Sequence, residues 1–188
     1  MKIIYAFALM LCFTATAFAQ KYVPQFKNGT VLNYTAHSNA FGQDIPLTLT
    51  ITSITAPVQM QYNIPQLGTG TFEMSEKAIT SGKKMALKEP QTDGVTKLKD
   101  DETLAVLSKN TFNNLITNKT FELNGQTFNV IADTTSYKIN DKEADIFYAE
   151  TAKGKTKLWI LNNPDFPLIY KLKGGQQGID LTLNSIKE

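Results

Sequence analysis

The sequence predicts an antiparallel, strand-rich domain, mainly β (α+β), that carries one short helix. The first observation is a period-two alternation, clearest in "VQMQYNI" at 58–64, where apolar residues alternate with Gln and Asn. The second is Asn124-Gly125 between two apolar runs, which is a strong hairpin signal. The third is that helical spacing of apolar residues is limited to one short stretch.

Other strands follow from the same alternation. In 45–54 the apolar residues alternate with threonines, whose branched Cβ suits the solvated face of a strand. In 72–78, Phe72, Met74 and Ala78 share one face of a predicted strand. The remaining predicted strands are 30–38, the two arms of the hairpin 120–131, 136–139, 143–150, the two arms of the hairpin 147–161 around Gly154, and 179–186.

One short helix is predicted after Leu107. Phe112, Leu115 and Ile116 lie three and four residues apart, which forms one apolar stripe, and Ser108 could cap the helix. The segment 104–107 just before it is predicted as a strand. The segment 82–99 has weak periodicity and is predicted as a loop with at most one helical turn.

The first residues are typical of a secretory signal. Lys2 is followed by an apolar run from Ile3 to Phe13 and by small residues that end at Ala17-Phe18-Ala19. We expect cleavage between Ala19 and Gln20, which makes 1–19 a signal peptide and 20–188 a single β-rich domain. An uncleaved anchor is the alternative, although the apolar run is short for a transmembrane helix. The prediction is therefore an exported protein, periplasmic or extracellular, with no transmembrane segment in the mature chain.

Composition narrows the chemistry that this chain can do. All 19 basic residues are Lys, Arg is absent, and the net charge is +2, which argues against nucleic acid as a partner. The one Cys, Cys12, lies in the predicted signal, so a mature His/Cys zinc site is not expected. We predict no metal and no cofactor. Catalysis by a His-containing triad would need His37, which alternation places on the polar face of its strand, opposite Tyr34.

The segment "LWILNNPDFPLIYKL" is apolar on both of its faces. Leu158 and Ile160 face one side of the predicted strand, and Trp159 and Leu161 face the other. Antiparallel sheets often bury one face only, so something must cover the second face here. The candidates are the short helix, the loop around Met85, or a bound ligand.

Three segments carry a resemblance to a known family: "FKNGTVLNYTA" at 26–36, "LAVLSKNTFNNLITNKTFELNG" at 104–125, and the final "WILNNPDFPLIYKLKGGQQGIDLTLNSI". They resemble TapB-like exported bacterial β-sheet proteins, which are distant relatives of the LolA-like lipoprotein-carrier superfamily. The resemblance implies a strongly curved antiparallel sheet or half-open barrel with one or two short helices. The carriers in this superfamily hold acyl chains on an apolar concave face, and we carry over this shape rather than the transport activity.

These observations lead to a non-enzymatic binding protein as the first hypothesis. It would take a lipid, another apolar or amphipathic ligand, or an envelope protein partner on the concave face, with large apolar residues as ligand contacts. The predicted ligand-binding residues are Trp159, Tyr62, Met60, Phe72 and Phe112.

Two alternatives remain open at the level of sequence. One is a structural envelope protein whose concave face is filled by Phe112, Leu115 and Ile116. The other is a hydrolase that uses carboxylates alone, and it would need two acidic side chains facing each other in a cleft. The acidic residues that cluster in the sequence are Asp100, Asp101 and Glu102, and Asp141, Glu143 and Asp145.

Overall fold

The computed structural model describes residues 21–188, except for Phe41, Gln66, residues 87–90 and Gln177. The predicted signal peptide and its cleavage site between Ala19 and Gln20 lie outside the described residues.

The described chain is mainly β, as predicted, and contains two short helices. The first half has the strands β1 (Val31–Ser38), β2 (Gln43–Ser53), β3 (Val58–Ile64), β4 (Gly68–Met74), β5 (Lys84–Met85), β6 (Val95–Lys97) and β7 (Glu102–Thr103). The helices are α1 (Glu76–Ser81) and α2 (Lys109–Asn118). The second half has the strands β8 (Thr120–Leu123), β9 (Gln126–Ile131), β10 (Tyr137–Ile139), β11 (Lys142–Ala144), β12 (Ile146–Thr151), β13 (Lys157–Leu161), β14 (Ile169–Lys173) and β15 (Ile179–Lys187).

Eleven strands form one sheet in the order β6-β4-β3-β2-β1-β15-β14-β13-β12-β9-β8. All neighbours are antiparallel except β4 and β6, which run parallel. The join between the two halves of the chain is the pairing of β1 with β15, in which Leu32 lies opposite Ile186. The order has two ends, β6 and β8, so this sheet is open. The strong curvature and half-open barrel shape implied by the resemblance stay predictions.

The core lies on one face of this sheet, which we call the inner face. Alternation sends Leu32 and Tyr34 of β1 inward, and the same pattern buries Leu49 of β2 and Met60 of β3. The helix α2 begins at the predicted cap, since the Ser108 side chain accepts a hydrogen bond from the Thr111 amide. It packs its apolar stripe over the β8 end of the sheet and buries Phe112 and Leu115 there, while Ile116 is exposed.

Three segments differ from the sequence prediction: a helix replaces the end of one strand, a single bridge replaces another strand, and a predicted loop contains two short strands. Ser75 accepts a hydrogen bond from the Ala78 amide and starts α1, so Ala78 is buried on a helix and not on a strand. The predicted strand 104–107 contributes only a single bridge, between Val106 and Leu168. The predicted loop 82–99 contains the short strands β5 and β6.

The second apolar face around Trp159 is covered by an element that the sequence analysis did not consider. The hairpin of β10 and β11 packs on it, with the Tyr137 ring 5.7 Å from the Tyr170 ring. The indole Nε1 of Trp159 donates to the Tyr137 hydroxyl at 2.7 Å. At the turn itself, the Phe26 ring lies 4.7 Å from the Phe166 ring.

Within the described part of the chain, neither helix combines the length and apolar character that crossing a bilayer would require.

Candidate ligand cavity

An apolar cavity of about 260 Å³ lies on the inner face, at the end of the sheet formed by β1 to β4 and β15. Its floor comes from inward positions of neighbouring strands. Register brings these side chains together, because Leu49 lies opposite Tyr62 and Tyr34 lies opposite Leu47. Phe72 of β4 extends the floor, with its ring 5.5 Å from the Tyr62 ring.

The cover of the cavity is made by two short segments, 85–86 and 104–105. Main-chain hydrogen bonds hold them to each other and to the sheet. The Ala86 amide donates to the Thr103 carbonyl at 2.8 Å, and the Ile169 amide donates to the Ala105 carbonyl at 2.8 Å. Ala105 has a φ of 56°, a left-handed conformation that costs about 1–3 kcal/mol for a residue with a Cβ. The surrounding hydrogen bonds keep the cover in that conformation.

The mouth of the cavity lies where the strand ends of β1, β2, β3, β4 and β15 meet. Ile45, Ile64 and Ile179 are partly exposed there. Leu67, in the turn between β3 and β4, is 58% exposed and also lines the cavity. An apolar path therefore runs from the buried floor to the solvent.

The described residues that line the cavity carry no charged side chain. Their polar atoms are the phenol groups of Tyr34 and Tyr62, and both are already bonded. The Tyr34 hydroxyl donates to the Ile169 carbonyl at 2.7 Å, and the Tyr62 hydroxyl donates to the Gln91 carbonyl at 3.0 Å. Burial raises the pKa of Tyr34 well above its usual value. The cavity thus offers a ligand dispersion contacts and burial, with no unused hydrogen-bond donor on either phenol.

The backbone of Gln91 lies very close to Gly70 of β4, beside the Tyr62 ring that lines the cavity. A Cβ at this position would lie 2.3 Å from the Gln91 carbonyl oxygen and 2.7 Å from atoms of the Tyr62 phenol. Glycine is therefore required for the 91–94 segment to pack on β4 and accept the Tyr62 hydrogen bond.

The five predicted ligand-binding residues fall into three places. Tyr62 and Phe72 line the cavity. Met60 and Phe112 are fully buried in the core without lining it, because neighbouring side chains surround them. Trp159 lies on the opposite face of the sheet and is half-buried beside Tyr148.

The sequence reasoning missed several residues that build the cavity. Tyr34, Leu49 and Leu181 lie at buried positions of their strands, and nothing local in the sequence distinguishes them from ordinary core residues. Leu67 gave no usable signal either, because single apolar residues at a protein surface are common.

The candidate catalytic groups do not line the cavity, and His37, Asp101 and Asp145 each have a partner elsewhere. His37 is on the outer face as predicted, and its Nδ1 lies 2.7 Å from an Asp44 carboxylate oxygen at the surface. In the first acidic cluster, Asp101 pairs with Lys84 at 2.8 Å, and this hydrogen bond lowers the pKa of Asp101. In the second cluster, Asp145 bonds the Asn162 amide group at 2.7 Å.

No group of three or more His, Cys, Asp or Glu side chains within the described ranges is close enough together to hold a metal ion.

Comparison of the chain with protein-family models and with curated proteins found no match. The resemblance to TapB-like and LolA-like proteins therefore stays a prediction.

Proposed function

We propose that this chain is an exported, non-enzymatic protein that binds a small apolar or amphipathic ligand in the inner-face cavity. The single observation that carries the proposal is a cavity whose described lining is uncharged and which runs from buried Tyr62 to exposed Leu67. The export part of the proposal is supported by the signal-like first 19 residues, which would direct the mature protein to the periplasm or outside the cell.

The size of the cavity favours a single chain or a small ring as ligand. Small-molecule sites span about 300–1,000 Å³, so a cavity of about 260 Å³ is slightly smaller than that range. Burying a methylene contributes about 0.8 kcal/mol, so ten of them contribute about 8 kcal/mol before association costs. A micromolar Kd corresponds to about 8.2 kcal/mol, so we expect micromolar or weaker binding. The open mouth at Leu67 lets a polar end group stay in water.

The position of the carboxylates favours binding over hydrolysis. The described lining contains no Asp or Glu, and Asp101 and Asp145 of the two acidic clusters are engaged with Lys84 and Asn162. A carboxylate hydrolase needs its acidic pair at the ligand, so we do not propose one.

The test is a titration of the purified mature protein with a fluorescent fatty acid, together with native mass spectrometry for co-purifying lipid. Ala36→Phe places a ring in the cavity, because Ala36 lines it and faces inward on β1. Thr35→Phe is the matched control, since it adds the same ring to the opposite face one residue away. We expect Ala36→Phe to weaken binding by about tenfold or more, which is the free energy of about two methylenes, and Thr35→Phe to change it little. Absence of saturable binding and of co-purifying lipid would remove the proposal.

A structural envelope protein is a second candidate, favoured by one observation. Phe112 and Leu115 of α2 are fully buried against the inner face at the β8 end, so their side chains occupy that part of the face. If the cavity were only a packing defect, the wild type would bind no ligand, and Ala36→Phe would stabilise the fold by filling the cavity. The same titration therefore separates the two candidates.

A further inference from the structure

A second cavity, of about 320 Å³, lies where four segments of the chain meet. The segments are the connection between β2 and β3 at 54–58, the helix α1, the approach to α2 at 106–109, and the turn at 165–167. No described residue lines both this second cavity and the inner-face cavity. Its volume is within the range of small-molecule sites, at the lower end.

Hydrogen bonds hold the walls of the second cavity in place. The Leu107 amide donates to the Pro167 carbonyl at 3.0 Å, which joins two of the four segments. The Asn163 side-chain oxygen accepts from the amides of Asp165 and Phe166, at 3.0 Å and 3.2 Å, and so shapes the turn that carries both residues. The walls are therefore formed before any ligand binds, which lowers the cost of binding one.

The base of the second cavity is apolar. Val58, Val106, Leu107 and Phe166 are buried there, and Ile79 of α1 is partly buried beside them. A ligand that fits this base needs an apolar part, because a polar group placed on it would lose its contacts with water.

Charged side chains of both signs line the solvent side of the second cavity. They are Glu76 at the start of α1, Lys109 at the start of α2, and Asp165, and all three are exposed. Among the described residues, none of these side chains has an ion pair or a hydrogen-bond partner. Lys109 thus lines the same small space as two carboxylates without pairing with either, which leaves room between them for a ligand that carries both charges.

Separated charges of both signs above an apolar base are complementary to an amino acid in its zwitterionic form. We propose that the second cavity binds a free α-amino acid with an apolar side chain. The side chain packs on Val58 and Phe166, the ammonium group lies between Glu76 and Asp165, and the carboxylate contacts Lys109. This proposal does not rest on the proposed function, because the two cavities share no described lining residue.

Other ligand classes satisfy only part of this lining. A fatty acid matches the base and Lys109 but brings a carboxylate close to Glu76 and Asp165, and an alkyl amine leaves Lys109 unpaired. A peptide places its two charged ends apart, whereas here both signs of charge line one cavity of about 320 Å³.

The test is a calorimetric titration of the purified mature protein with L-leucine and with three analogues that each lack one part of it. The analogue 4-methylpentanoate lacks the ammonium group, 3-methylbutylamine lacks the carboxylate, and glycine lacks the apolar side chain. We expect saturable binding of L-leucine. Loss of either charge should weaken binding by about fivefold, and loss of the side chain should weaken it by about tenfold or more.

Lys109→Gln assigns the carboxylate contact. It should weaken L-leucine binding by about fivefold and leave 3-methylbutylamine binding unchanged, since that analogue has no carboxylate. The matched control is Lys153→Gln, which makes the same change in charge at an exposed position between β12 and β13, outside the second cavity. Conversely, Glu76→Gln should weaken L-leucine and 3-methylbutylamine and should not weaken 4-methylpentanoate. Circular dichroism checks the fold of each variant.

Any of four outcomes would overturn the proposal. They are no saturable binding of L-leucine, an equal loss in Lys153→Gln, binding of 4-methylpentanoate or of the dipeptide leucyl-leucine at least as tight as that of L-leucine, and displacement of L-leucine by the fatty acid used for the inner-face cavity. The last outcome separates the two proposals, because it would place both ligands in one cavity.

Discussion

At the scale of single residues, Tyr34 is the side chain in which burial has the clearest energetic consequence. Its ring lines the cavity floor, and its hydroxyl donates to the Ile169 carbonyl across the sheet. It is 2% exposed, so water cannot replace that bond if it is lost. The phenol therefore ties β1 to β14 although β15 lies between them.

We predict that Tyr34→Phe lowers the free energy of unfolding by about 1–2 kcal/mol at neutral pH, measured by urea denaturation. The matched control is Tyr170→Phe, which removes a longer and more exposed hydrogen bond, to the Lys138 carbonyl at 3.4 Å. Tyr170→Phe should lower the free energy of unfolding by clearly less than Tyr34→Phe does. Equal losses in the two variants would contradict the importance given to the buried bond.

The same residue has a predictable dependence on pH. The unfolded chain loses a tyrosine proton at a pKa of about 10, whereas burial holds the Tyr34 proton to a much higher pH. The folded state then binds more protons than the unfolded state above pH 10, so stability is full below that pH and falls as pH rises. Tyr22 and Tyr148, each with a pKa raised to about 12 mainly by burial, add to this fall. In Tyr34→Phe the decline above pH 10 should be shallower than in the wild type.

At the scale of elements, the β8–β9 turn supports the cavity cover as well as its own hairpin. Asn124 has a φ of 53°, as a tight two-residue turn before Gly125 requires. Its side-chain oxygen accepts from the Met85 amide at 2.8 Å, and its own amide donates to the Lys83 carbonyl at 2.8 Å. The Asn that marks the hairpin in the sequence thus also holds β5, which lies about forty residues earlier in the chain.

We predict that Asn124→Gly loosens the cover without breaking the hairpin. Glycine keeps the left-handed turn but removes the acceptor for the Met85 amide, so hydrogen exchange at that amide should accelerate and stability should fall by about 1–2 kcal/mol. Asn140→Gly is the matched control, because Asn140 sits in the β10–β11 turn with a φ of 51° and bonds Ile186 by its side chain. If Met85 exchange accelerates in both variants or in neither, the assigned role of Asn124 is wrong.

At the scale of the whole molecule, the two faces of one sheet are covered differently. The inner face packs against α2 at one end and lines the cavity at the other, while the outer face carries the β10–β11 hairpin. A ligand that occupies the cavity binds only the folded state, so it must stabilise the whole sheet by mass action.

We predict that a cavity ligand at about one hundred times its Kd stabilises the fold by about 2.7 kcal/mol. For a domain of this size, that corresponds to a rise in Tm of about 5–10 °C, measured by thermal unfolding with and without fatty acid. At the same ligand concentration, Ala36→Phe should reduce the rise by about half or more, because a tenfold larger Kd leaves about 1.4 kcal/mol of stabilisation, and Thr35→Phe should keep the full rise. An undiminished rise in Ala36→Phe would place the ligand outside the cavity.

Much of the fold could be predicted because its signals are local. Alternation at 45–54 and 58–64, the Asn124-Gly125 turn and the stripe of Phe112 and Leu115 each depend on a few adjacent residues. The helix α1 escaped prediction because six residues are too few for a periodic pattern. Phe72, Met74 and Ala78 also fit strand spacing, although Ser75 in fact starts a helix between them.

The candidate site was less predictable because it depends on which strands become neighbours. The sequence by itself determined the strand-rich class, the hairpins and the scarcity of reactive side chains, since composition and nearest-neighbour chemistry carry that information. Only the tertiary structure decided that β1 pairs with β15, that Tyr62 and Phe72 line an open cavity, and that Trp159 lies on the other face. The physical reason is that alternation assigns residues to two faces of a strand but does not say which face the helices and loops will cover.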